Sequence, residues 1–114
     1  MGVALAAGAS AGCGPPQPQA PVAQANRVAS ALAGISAACG ESYQQRALEP
    51  RAVEPGVLET AASERAHELA DVYRLDPQWI YNGDTLRQIV AVAVRDLREC
   101  DLPRAAGVLV SATR

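Results

Sequence analysis

The sequence predicts an all-α fold, a small three- or four-helix bundle preceded by a disordered N-terminal segment. Three observations lead there. From Val22 onward apolar residues recur at three- and four-residue intervals, the period of a helix with one buried face. Proline and glycine fall between these periodic runs rather than within a strand-like alternation. Met1 to Asn26 carries no charged residue and is built from small residues followed by proline and glutamine. The chain thus divides into a signal-peptide-like segment (1–12), a Pro/Gln-rich spacer (13–21) and a helical domain (22–114).

The first helix is expected from Val22 to Cys39 and on toward Leu48. Its apolar stripe is Val22, Ala25, Val28, Leu32, Ile35, Cys39 and Tyr43. Gly40 is a weak stop there and Pro50 a firm one. A second helix is expected from Gly56 to Tyr73, with Leu58, Ala62, Ala66, Leu69 and Tyr73 inward and Glu59, Ser63, Glu64 and Glu68 in solvated positions. Asp76-Pro77 disfavours helix at Asp76, and Asn82-Gly83 signals a turn. Asp84 is then a candidate N-cap for a third helix carrying Leu86, Ile89, Val90, Ala93, Leu97 and Cys100. Arg95 and Arg98 near its end complement the helix dipole. Pro103 suits the first position of a short fourth helix, although Val108-Leu109-Val110 would also suit a strand or extended tail.

At 114 residues the chain has room for one domain with a modest core. A net charge of -2 gives no basic footprint for nucleic acid. The basic residues are all arginine, and phenylalanine is absent. No apolar run reaches the roughly 18–20 residues a membrane-spanning helix needs.

Met1 to Ala11 is apolar or small throughout, and Ser10-Ala11-Gly12-Cys13 follows it. This arrangement resembles the lipobox of bacterial lipoproteins, commonly Leu-Ala-Gly-Cys, with Ser10 where an aliphatic residue is usual. The resemblance covers about the first 20 residues and names no specific family. It implies that the Cys13 thiol takes a diacylglyceryl group, that cleavage leaves Cys13 as the new N-terminus, and that Gly14–Pro21 spaces a domain from the membrane. Two other readings stay open. Cleavage after Ala9-Ser10-Ala11 would release a soluble secreted protein, and an Ala/Gly-rich tail on a cytoplasmic protein needs no cleavage.

With Cys13 assigned to a lipid, Cys39 and Cys100 remain as a pair. Both fall on inner stripes toward the C-terminal ends of helices that run parallel in an up-down-up bundle. A Cys39–Cys100 disulfide is therefore expected, although an extended first helix misaligns the ends. Two buried free thiols are the alternative. Export and a disulfide support each other, because such bonds persist in oxidising compartments.

Catalytic and metal-binding patterns are sparse. His67 is the one histidine, and His67-Glu68-Leu69-Ala70-Asp71 has aspartate where a zinc-protease helix has its second histidine. A solvated helix face accounts for these residues. There is no Cys-x-x-Cys, nucleophile elbow or phosphate loop, so no catalysis, metal or cofactor is expected.

The aromatic residues Tyr73, Trp79 and Tyr81 cluster in "YRLDPQWIYNGD". Either they form an interaction surface, or Trp79 and Ile80 plug one end of a bundle whose alanine-rich interior lacks bulk; the shortage of bulk favours the plug. A further resemblance, carried by Cys100-Asp101-Leu102-Pro103, is to small exported helical haem-binding proteins of actinobacteria. It implies Tyr43 or His67 as an axial ligand.

The expected role is an exported, membrane-anchored module of the cell envelope for protein interaction or structure, with an envelope protein as partner. Small-ligand binding is the alternative.

Overall fold

The computed structural model describes residues 18–48, 50 and 53–114. Cys13, the segment 1–12 and the first part of the spacer lie outside the described residues. Four helices carry the fold: α1 (Val22–Arg46), α2 (Pro55–Leu75), α3 (Leu86–Glu99) and α4 (Pro103–Ala112). Between α2 and α3 stands a hairpin of two short strands, β1 (Ile80–Tyr81) and β2 (Asp84–Thr85). The Val108-Leu109-Val110 run is helical, within α4.

Proline sets two helix starts: Pro55 and Pro103 occupy the first helical positions, where a missing N–H costs no hydrogen bond. The Asn82-Gly83 turn forms as expected. Both residues have positive φ, 54° and 89°, which matches the right-handed twist of the strands it joins. It brings Tyr81 opposite Asp84 and Ile80 opposite Thr85. Asp84 therefore lies in β2 and is not the cap of α3. Thr85 is, in a capping box: its hydroxyl accepts from the Gln88 N–H while Gln88 Oε1 accepts from the Thr85 N–H.

The spacer also differs from expectation at its inner end. Pro18–Ala20 runs parallel to β1, with Ile80 N–H donating to the Pro18 carbonyl at 2.8 Å and Ala20 N–H donating to the Ile80 carbonyl at 2.9 Å. This strap belongs to the folded body.

One core runs through all four helices. Its largest fully buried side chains include Leu69, Leu86, Leu97, Leu102 and Leu109. Alanines fill the places where helices approach closely: Ala31, Ala62, Ala66, Ala70 and Ala105 are each 0% exposed. The most extensive packing is α1 on α2, then α2 on α4 and α4 on α3, whereas α1 and α3 meet sparsely. The stripe of α1 is displaced from the one expected. Val28, Ala31, Ile35, Ala38, Ser42 and Gln45 face inward, while Val22 and Tyr43 are exposed and Leu32 and Cys39 are half-buried. The smaller residues win because the inner face of α1 must lie close against α2.

The end of α3 closes in a Schellman arrangement. Asp101 takes the left-handed conformation (φ 64°), its N–H reaching Arg98 O, and Leu102 N–H reaches Leu97 O at 2.8 Å. The apolar contact that accompanies such an end joins Leu97 and Leu102, both buried.

Glu59 is buried, contrary to its expected solvated position. Leu102, at the N-cap of α4, has no side chain able to cap. Glu59 reaches across from α2 instead, its carboxylate oxygens accepting from the Arg104 and Ala105 N–H groups at 3.4 Å each. A negative charge at a helix N-terminus is favourable in sign as well. Glu59→Leu is expected to lower unfolding free energy by about 1–3 kcal/mol, because two inner donors lose their acceptor. Glu59→Gln, which keeps an acceptor oxygen, should lose less. Denaturant unfolding of the two variants measures the difference.

Candidate functional site

The seam between α1 and α3 holds the chain's most distinctive arrangement. Cys39 and Cys100 are joined in a disulfide with Cα atoms 5.3 Å apart. Cys100 is the C-cap of α3, whereas Cys39 lies seven residues before the end of α1. At 1.5 Å per residue, α1 overhangs the bridge by about 10 Å. That is the misalignment expected of a long first helix, and the overhang has its own work. Ser42 Oγ, one turn past Cys39, donates to the Cys100 carbonyl at 2.6 Å, satisfying an acceptor at the end of α3. Gln45 is buried one turn further on. Its amide oxygen accepts from the Val53 N–H at 3.0 Å, and its amide nitrogen donates to Glu41 Oε2 at 2.7 Å. The polar end of α1 thus fixes both the terminus of α3 and the connection leading to α2.

Alongside the disulfide, α1 and α3 line an open groove of about 890 Å³ that runs past Cys39 on both sides, from Leu32 to Tyr43. Leu32, Ile35 and Tyr43 line it from α1, and Ile89 and Val92 from α3. Tyr43 is 53% exposed and Val92 46% exposed, so the apolar face is accessible. The charged lining residues are Asp84, Asp96 and Glu99, all acidic. Arg95 pairs with Asp96 at 3.2 Å, and Arg46 lies over the Tyr43 ring at 4.7 Å from its centroid. Among the described residues Asp84 and Glu99 make no ion pair.

The expected aromatic cluster divides. Tyr73 is buried in the core at 4% exposure and offers no surface. Trp79 and Tyr81 are half-buried and pack against the core from the hairpin side, and Ile80 between them is half-buried too. The loop is stiffened by hydrogen bonds: Asp76 Oδ1 accepts from Gln78 N–H, and Trp79 O accepts from Leu86 N–H, both at 2.9 Å. Of the two alternative axial ligands, Tyr43 lines the groove and His67 is exposed on α2 outside it. Among the described residues no group of three or more His, Cys, Asp or Glu side chains is placed to hold a metal ion. Also among these residues, no helix is long and apolar enough to cross a membrane.

The groove went unread in the sequence. Val92 carries a weak signal as an apolar residue on an outward helix position, but the gap between its helix and α1 exists only in three dimensions. Compared with known proteins, the chain matches no family model, no curated protein and no solved structure.

Ser42 supplies the checkable link between α1 and the end of α3. Ser42→Ala should lower stability by about 1–3 kcal/mol, the effect of leaving the Cys100 carbonyl without its buried donor. Thermal unfolding of the oxidised variant against the parent chain reads it.

Proposed function

We propose that the chain is an exported helical module, lipid-anchored through Cys13, that serves protein interaction or envelope structure rather than catalysis. The observation that carries this reading is the Cys39–Cys100 disulfide, a bond that persists in oxidising compartments and is rare in the cytosol. The lipobox-like Ser10-Ala11-Gly12-Cys13 supports the anchor independently. Between the anchor and the domain, the strap Pro18–Ala20 pairs with β1, so four residues of sequence lie between Cys13 and the strap. Such a short tether holds the hairpin face near the membrane surface.

Small-ligand binding is the second reading, and the groove volume favours it. Against it, the groove is an open trough, and its carboxylates stand toward the two ends of α3 rather than converging on one point.

Intact mass of the endogenous protein from its membrane fraction, unreduced and reduced, tests the proposal. The expected species lacks Met1–Gly12, carries acyl mass on Cys13 and gains two protons on reduction. An unprocessed chain with three free thiols would contradict both the anchor and the compartment.

A further inference from the structure

We propose that the α1–α3 groove is a docking site for one amphipathic helix of a partner protein, with an apolar face and basic residues in its first and last turns. The proposal rests on the interaction-module reading and names the partner's chemistry.

Shape gives the first argument. The lining follows α3 along its length, from Asp84 just before its first turn to Glu99 at its last residue. A 14-residue helix is about 20 Å long, so the groove matches a partner helix of similar length lying alongside. Its walls present Leu32, Tyr43, Ile89 and Val92, suited to partner side chains at i, i+3, i+4 and i+7.

Charge gives the second. Asp84 marks one end of the groove and Asp96 and Glu99 the other; at that second end Arg95 pairs with Asp96 and Arg46 lies over the Tyr43 ring, leaving Glu99 as the carboxylate there without an ion pair among the described residues. Asp84 is without an ion pair among these residues as well. A partner with basic flanks finds a complementary carboxylate at each end, which steers encounter and selects orientation. The same acidic ends disfavour a second copy of this chain, because a two-fold contact would set the same carboxylated face against itself. They offer nothing to the uncharged segment 1–17.

The test titrates two 14-residue Leu/Ala peptides into the full, oxidised chain. One peptide has arginine in its first and last turns, and the other has glutamate at the same positions. Amide chemical-shift mapping and fluorescence anisotropy give site and affinity. The arginine peptide is expected to bind at least ~10-fold more tightly, with shifts centred on Leu32, Ile89 and Val92. Val92→Glu, on an exposed helix position, should abolish binding without unfolding the chain. Asp84→Asn with Glu99→Gln should shrink the preference between the peptides to less than about 3-fold.

Equal affinity for the two peptides, no binding, or shifts away from the groove would overturn the proposal. A concentration-dependent dimer abolished by Val92→Glu would overturn it in favour of a second copy. Groove shifts that appear only on removing residues 1–17 would overturn it in favour of the chain's own segment. The outcomes separate from those of the anchor: a lipidated chain that binds neither peptide defeats the groove alone, and an unlipidated chain that binds the arginine peptide defeats the anchor alone.

Discussion

The Cys39–Cys100 disulfide is the constraint on which the rest of the arrangement depends. The helices pack in the order α1, α2, α4, α3, each chiefly against the next, so that α1 and α3 are the two outer members of the series. Side-chain packing between those outer members is sparse. The covalent link, spanning a sequence separation of 61, turns the open series into a closed bundle. In the chain-entropy account such a loop contributes about 4 kcal/mol by restricting the unfolded chain, a large fraction of what a small domain retains. The same link borders the groove, whose lining includes Cys39.

Around that link, the polar residues of the interior answer helix ends. Ser42 satisfies the carbonyl of Cys100, Glu59 the first N–H groups of α4, and Gln45 the N–H of Val53. Each reaches its partner from another element, so each couples secondary structure to tertiary position. Among the described residues no buried side-chain nitrogen or oxygen lacks a partner. In an alanine-rich core, where each contact buries little area, such pairings add directionality that apolar packing lacks.

The elements with local causes were legible in the sequence. Pro103 started a helix, Asn82-Gly83 turned a hairpin, and the leftover pair of cysteines joined. Features determined by distant neighbours were not. Two stripes one residue apart compete on α1, and a reading by side-chain size selects Leu32, Cys39 and Tyr43. Close approach to α2 selects Ala31, Ala38 and Ser42 instead. Glu59 lies 45 residues from the helix it caps, so no local pattern reveals its partner. The strap at Gln19 pairs with Ile80, and a Pro/Gln-rich stretch carries no sign of an edge waiting for it. The groove, being a gap between helices, leaves still less trace.

The most direct test of the central claim compares denaturant unfolding of the oxidised chain with that of the Cys39→Ala/Cys100→Ala double variant. The account predicts a loss of about 4 kcal/mol in unfolding free energy. It also predicts faster amide exchange along the facing turns of α1 and α3 than within the α2–α4 interface. Equal stability of the two proteins, or free Cys39 and Cys100 thiols in the chain purified without reductant, would contradict it.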